Sequence, residues 1–335
     1  MHPSCEFESL VPARDLRIGL ISNANSGHNR IMLKNVDRIL SRHSCVYHVI
    51  THGDEQVLPA LLEMARNDID VLAINGGDGT ASGVLGKILD HQPFRKCPAI
   101  VLLPGGTINL NASSMGMGSS LLGAAVRFSK WIATGHRHGC ERTRHSILRV
   151  QPGGNAGAAY GMFLGAGAVI QATDYAHSQV HSRGLRGSTS LGITMARTLW
   201  GMRCRDPRFR QPVSVSMAMN DASSLVPHQA LVLIASSLQR LSLGLNPFWG
   251  TEQAPVRLTL VADHAERFMR SLPSVLRGRP NGHVRGHAGY LSHNAHQVRL
   301  AMDGAINLDG EIHHIRRADG PLSISRGGEF TFLRV

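Results

Sequence analysis

The sequence predicts two folds in succession, an α/β domain on a parallel sheet and then an all-β domain of antiparallel strands. Through about residue 130 short apolar runs alternate with amphipathic stretches, and beyond Trp131 short alternating runs separated by turn residues take over. The chain is long enough for this: 335 residues suit about two domains, and 42% hydrophobic against 17% charged residues supports sizeable cores.

RIGLISN (17–23) reads as a buried strand, and Ile31, Leu33, Val36, Ile39 and Leu40 follow it at helical spacing. VYHVIT (46–51) then precedes a helix marked by Val57, Leu58, Leu61, Leu62 and Ala65. DVLAIN (70–75) precedes one marked by Val84, Leu85, Ile88 and Leu89, and PAIVLLP (98–104) is a fourth strand. After the charged turn HRHGCERTRHS (136–146) come ILRVQP, AYGMFLGAGAVI, VSVSMAM, ALVLIASSL, VRLTLVA and HQVRLAM, all read as strands. A basic insert at 177–212 interrupts them, with a helix expected from Ser190 to Trp200.

In a parallel α/β sheet the loops at the carboxyl ends of the strands share one edge, where helix N-termini offer free N–H groups. Three polar loops fall at such positions. NGGDGT (75–80) puts Asp78 among Gly76, Gly77 and Gly79, which let the backbone approach a phosphate chain, with Thr80 next. From residue type alone Asp78 holds Mg²⁺, accepts a proton or caps the next helix. PGGTINLNAS (104–113) repeats the pattern with Gly105, Gly106, Thr107 and Asn109, and NANSG (23–27) with Asn23, Asn25, Ser26 and Gly27. The connection after the second strand, HGDE, carries no such signal. Neither the Walker nor the dinucleotide fingerprint is present.

The formal charge is +12, from 35 Lys+Arg against 23 Asp+Glu, which points to an anionic partner. Aromatics are only 5% and do not interleave with basic stretches, which argues against nucleic acid. The surplus concentrates around Arg183, Arg186, Arg197, Arg203, Arg205, Arg208 and Arg210, while the three polar loops hold almost none of it; an acidic membrane surface is the expected counterpart. The five cysteines are scattered, so neither a disulfide framework nor a zinc motif is expected. The histidines of the second half, His283 and His287 among them, lack metal-motif spacing and read as surface groups. The start of the chain has no apolar h-region and the longest apolar run, near Ala230 to Ile234, is too short to span a bilayer. A cytoplasmic protein, peripheral to the inner face of the cell membrane, is the expectation.

Asn23 to Gly27, Gly76 to Thr80, Pro104 to Asn109, GMFLGAGAVI (161–170) and NLDGE (307–311) together resemble the diacylglycerol kinase catalytic domain family, which includes bacterial lipid kinases and sphingosine kinases and is related to NAD kinases. The resemblance implies a Rossmann-like nucleotide-binding domain over 1–138, a β-sandwich-like lipid-binding domain over 139–314, and a segment, 315–335, that returns to the first domain. ATP would lie in the cleft between the domains with its phosphates on the glycine loops. Asp78, Asp309 and Glu311 would be the catalytic carboxylates, Asp78 and Asp309 would be the candidate ligands of Mg²⁺, and a homodimer is one open assembly. The implied activity is transfer of the γ-phosphoryl group of ATP to a hydroxyl of diacylglycerol, a sphingoid base or monoacylglycerol. The alternatives are a kinase for a soluble acceptor such as NAD and a silent lipid or nucleotide binder of the same fold. Two departures stand out. Leu110 occupies a position where many members are acidic, and 236–250 lacks the usual glycine-rich turn with its proline and alanine pair.

Overall fold

The computed structural model describes residues 16–335 except 107, 108, 110, 111, 113–117, 119, 135–139, 155, 176–193, 195, 196, 199, 202, 203, 205, 207, 242 and 243. It divides into two compact units, Met1–Arg144 with Phe330–Val335, and His145–Glu329. Parallel strands in the N-terminal part and antiparallel strands in the C-terminal part make a mixed α/β protein.

In the first unit β1 (Ile18–Asn23), β2 (Val46–Thr51), β3 (Val71–Gly76) and β4 (Ala99–Pro104) form a parallel sheet in the order β4-β3-β1-β2. β3 and β4 are buried along their whole length, as their unbroken apolar runs require of a sheet covered on both faces. β2 pairs only with β1, and as an edge strand it leaves Tyr47 and Ile50 exposed. Phe332, in the last strand of the chain, lies parallel beside Ile100 of β4.

The covering helices are α1 (Asn29–Leu40), α2 (Val57–Arg66), α3 (Asp78–His91) and α4 (Leu121–Ala133). Val36 and Leu40 of α1 pack with Leu20, Ala73, Val101, Phe128 and Trp131 in one core. Each such side chain, fully buried, contributes about 1.5–3 kcal/mol. Ser120 opens α4 by accepting a hydrogen bond from Gly123 N at 3.2 Å, and α3 ends at Gln92, which takes the left-handed conformation at φ 46°. The register decides where function can sit. Ser22 pairs with Asn75, Asn23 with Thr51 and Gly76 with Pro104, so all four strands end at one level and their outgoing loops share an edge.

The second unit is a sheet whose strands pair antiparallel. β7 (Phe163–Gly167), β8 (Val213–Met219), β9 (Val226–Ser236), β12 (Gln297–Met302), β13 (Gly304–Leu308), β14 (Glu311–Ile315) and β15 (Leu322–Arg334) run in the order β14-β13-β7-β9-β8-β12-β15. β10 (Val256–Ala262) pairs with β9 and β11 (Tyr290–Ala295); β5 (Glu141–Gln151) pairs with β6 (Ala159–Gly161) and β15. Leu148, Leu164, Leu233, Leu258, Leu300, Ile306 and Ile324 meet in its core.

Two expectations fail here and one helix was not foreseen. The charged turn read over 136–146 is already strand at Glu141, where β5 starts. The end of GMFLGAGAVI is not strand: Gly167 at φ 68° stops β7, and α5 (Ala168–Tyr175) begins at once. A short apolar run does not distinguish strand from helix by periodicity. A further helix, α6 (Phe268–Leu276), has no counterpart in the sequence reading; Pro273 inside it masks a pattern that buries Ser271 and Val275, four apart. Most of the helix expected from Ser190 to Trp200 lies outside the described residues, although Thr194, Arg197, Thr198 and Trp200 are helical. Among the described residues no helix is long and apolar enough to cross a membrane.

Candidate functional site

The three polar loops of the first unit come together. Asn23 Nδ2 donates to Thr80 Oγ1 at 2.9 Å, Ser26 Oγ lies 3.3 Å from the same oxygen, and Gly77 N donates to Ser26 Oγ at 3.3 Å. The loop after β1 is thereby tied to the loop after β3. The loop after β4 is tied to the start of α1, because Gly105 O accepts from His28 N at 2.8 Å and Asn29 N at 3.3 Å.

Gly105 and Gly106 are needed where they stand. A Cβ on Gly106 would collide with the α-carbon of Gly77, which belongs to the opposite loop, and one on Gly105 would collide with the amides of Asn29 and Asn75. Backbone meets backbone there, and Ser26 Oγ is the side chain that reaches Gly77 N at the head of α3. Asn109 fixes the other side of the loop from the left-handed region, at φ 57°. Its Oδ1 accepts from Gly106 N at 2.7 Å, while its Nδ2 donates to Gly106 O at 2.8 Å and Pro104 O at 3.2 Å. Buried to 1% exposure, it works as an internal turn template.

α3 begins at Asp78 with Gly77 as its N-cap, so Asp78 and Gly79 stand in the first turn, where the helix dipole favours negative charge. Asp78 is half-buried. The nearest cations are committed elsewhere: Arg30 Nε donates to Asn25 O at 3.1 Å, and Lys87 Nζ pairs with Asp54 Oδ2 at 2.7 Å. What the edge offers an anion is therefore backbone N–H and helix termini. Thr107 lies outside the described residues.

The HGDE connection is part of this edge, contrary to the sequence reading. Asn25 Nδ2 donates to His52 O at 2.7 Å, and Asp54 sits within 3.6 Å of where a Gly83 Cβ would be. Sequence reasoning also missed Asn29, whose Nδ2 bridges Asn23 O at 2.8 Å and Asn75 O at 3.0 Å, and Asn75 itself, which donates to Ser22 Oγ at 3.0 Å. A polar residue ending an apolar strand was the available signal for Ser22 and Asn75.

NLDGE, in the second unit, is the β13–β14 hairpin. Leu308 pairs with Glu311, and Asp309 and Gly310 between them have φ 48° and 95°, the two positive values of a type I′ turn. Asp309 is not a solvated turn acid. At 3% exposure its Oδ2 accepts from Met162 N at 2.8 Å and its Oδ1 from Phe163 N at 3.0 Å, which pins the hairpin to the start of β7. Glu311 is exposed.

The basic insert is less bare than its sequence. Asp206 accepts from Arg208 at 2.8 Å and Arg197 at 3.4 Å, and these guanidinium groups, Arg208 first, hold its carboxyl well below the usual range. Arg210 pairs with Asp263 at 3.1 Å, and Arg197 lies 4.9 Å from the ring centre of Phe209. Arg183, Arg186, Arg203 and Arg205 lie outside the described residues.

Residues 17–135, which hold β1 to β4 and all three loops, match the family model of the diacylglycerol kinase catalytic domain. Over that stretch the chain is similar to the diacylglycerol kinase catalytic domain. No curated protein matches the sequence. Among solved structures, one described as a diacylglycerol kinase from Bacillus anthracis strain Sterne superposes with a TM-score of 0.59 at 14% identity, covering 96% of this chain and 97% of that one. Another from the same organism, named as a candidate diacylglycerol kinase, gives 0.63 at 14% identity over 96% and 98%. At that identity the likeness shows a shared fold.

The diacylglycerol kinase family implies a nucleotide and Mg²⁺. The first unit fits the nucleotide: the Gly77–Gly106 approach forms a cradle that a single Cβ would fill. For the ion, no three His, Cys, Asp or Glu side chains cluster among the described residues. A cation that keeps its waters and binds one or two carboxylates plus substrate phosphates does not need such a cluster. Asp78 in the first turn of α3 fits that mode, since its charge would otherwise oppose a phosphate held by the same N–H groups.

Proposed function

We propose that this chain is an ATP- and Mg²⁺-dependent lipid kinase that phosphorylates a hydroxyl of diacylglycerol or a related lipid. The observation that carries the reading is the convergence of three loops on one sheet edge, with Gly77 and Gly106 facing each other so closely that neither loop has room for a side chain. The family match of residues 17–135 supports the kinase class, and the N-terminus of α3 at the meeting of the loops supports phosphate as what is bound.

Phosphoryl transfer asks mainly for positioning and charge neutralisation. Gly77 and Gly106 let the loops after β3 and β4 close on each other, and the N-terminus of α3 directs its dipole at the phosphate chain. Asn23, Ser26 and Thr80 lock two loops together, and Asn109 locks the third, so the cradle is set before nucleotide arrives. A bound Mg²⁺ would supply charge neutralisation for the phosphates. Asp78 is the residue to hold it. Asp309, with both carboxylate oxygens on backbone N–H groups, fixes its hairpin, and Glu311 beside it is the carboxylate proposed to take the proton of the acceptor hydroxyl.

Incubation with labelled ATP, Mg²⁺ and a panel of lipids in mixed micelles tests the reading. Label should enter a lipid, and Asp78→Ala should lower that rate by about 10²–10³, the scale of losing one preorganised charged group. Failure of every lipid to be labelled, or full activity in Asp78→Ala, would contradict it.

A further inference from the structure

The kinase reading leaves one buried constellation of the first unit unused. His48, on β2, places Nδ1 2.8 Å from Asp37 Oδ1 of α1 and Nε2 2.8 Å from Ser22 Oγ of β1. Ser22 Oγ in turn accepts from Asn75 Nδ2 of β3 at 3.0 Å. Side-chain exposure falls from 49% at Asp37 to 10% at His48, and Ser22 and Asn75 are wholly buried.

Acid, imidazole and hydroxyl in this order resemble a hydrolytic triad, but Ser22 has no surface to offer a substrate and its oxygen is already covered by the Asn75 amide. The arrangement instead fixes directions. An ionised carboxylate can only accept, so Nδ1–H donates to Asp37; in the neutral ring Nε2 then accepts from the Ser22 hydroxyl, and Ser22 Oγ accepts from Asn75 Nδ2. This turns Asn75 Oδ1 away from Ser22. Neither it nor Asn29 Oδ1 has a hydrogen-bond partner, and both crowd the space beside Gly105, with Asn29 Oδ1 2.9 Å from where a Cβ would be and Asn75 Oδ1 closer.

The placement gives the chain of bonds a purpose. The residue after Ser22 is Asn23, where the first loop starts, and the residue after Asn75 is Gly76, where the second does. Asn75 Oδ1 also borders the third loop at Gly105. A buried hydrogen-bonded chain of this kind resists movement because breaking one bond strands both of its partners in low dielectric.

We propose that Asp37, His48, Ser22 and Asn75 form a positioning relay that sets the mutual geometry of the three phosphate loops, so that a bond made at the surface by Asp37 governs nucleotide affinity. None of the four is a catalytic residue. The proposal rests on the phosphate-binding part of the kinase reading.

Two measurements on the full chain test it. Nitrogen-15 NMR of labelled histidine should show His48 as the neutral tautomer protonated at Nδ1. Ser22→Ala and His48→Gln should each weaken binding of a fluorescent ATP analogue with Mg²⁺ about tenfold, equal to about 1.4 kcal/mol, and the double variant should be no worse than either single one. In turnover the loss should appear in KM for ATP, with kcat within about twofold and the KM for lipid unchanged. Asp37→Asn, at the half-exposed end where folding is not at risk, should give about threefold. An Nε2-protonated tautomer would overturn the relay, as would lower melting temperatures with unchanged nucleotide affinity. A wild-type protein that binds nucleotide and shows the expected tautomer and variant affinities, yet labels no lipid, would sink the kinase reading and uphold the relay.

Discussion

Gly106 shows how a single residue carries the argument. Its missing side chain lets two loops touch through their backbones, and a Cβ there would push the Gly77 backbone away, so Gly106→Ala should lower the melting temperature and raise the Kd for nucleotide by more than about tenfold, with thermal unfolding and nucleotide titration as the checks; unchanged affinity would mean that the two loops do not share a ligand. Asp309 and Glu311 lie two apart in one motif and differ in burial, the first enclosed and the second exposed. Asp309→Asn replaces an acceptor of two backbone N–H groups and should cost about 1–3 kcal/mol in denaturant unfolding, whereas Glu311→Gln should leave stability alone and lower kcat. Much of this was legible in the sequence, because glycine and asparagine declare themselves where a chain must turn tightly. The burial of Asp309 was not, since its partners, Met162 and Phe163, lie about 150 residues away and no local pattern reports them. Asn29 was invisible for the same reason: it is an ordinary polar residue until the fold brings it against Asn23 and Asn75.

At the scale of elements, the four parallel strands and their first three helices were readable because buried strands are continuous apolar runs and amphipathic helices keep their period. α5 and α6 were not, one being short and apolar and the other interrupted by Pro273. The second unit also offers a test of how its strands are tied. Glu252, in the segment before β10, accepts from Asn294 N at 3.0 Å and from His293 Nδ1 at 2.7 Å on β11. Those bonds, the Asn294 backbone first, pull its carboxyl from 4.5 down to about 2. A group depressed in the folded state stabilises it above its ordinary value, and the contribution fades as pH falls from about 4.5 through 2. Because both side chains are over two-fifths exposed, the effect is under about 1 kcal/mol. Glu252→Gln should therefore flatten the loss of stability between those pH values, measured by urea unfolding in a pH series. A parallel slope in wild type and variant would remove the assignment.

For the whole molecule, the question is where a formal charge of +12 acts. The phosphate loops do not use it, since Arg30 and Lys87 are bonded elsewhere. Asp206 and Asp263 engage Arg197, Arg208 and Arg210, so the described part of the insert is partly neutralised and any pull on an anionic surface falls to the remaining cations. Binding to vesicles containing anionic lipid should accordingly weaken as salt is raised, with each engaged charge worth about 1 kcal/mol, and binding indifferent to both salt and lipid charge would detach the basic surplus from the membrane. The central claim, conversion of a lipid at the expense of ATP, is tested most directly by mass spectrometry of a total lipid extract incubated with the protein, ATP and Mg²⁺. The account predicts a lipid bearing one new phosphate that is absent without ATP and with Asp78→Ala. An extract unchanged by active, nucleotide-binding protein would contradict it.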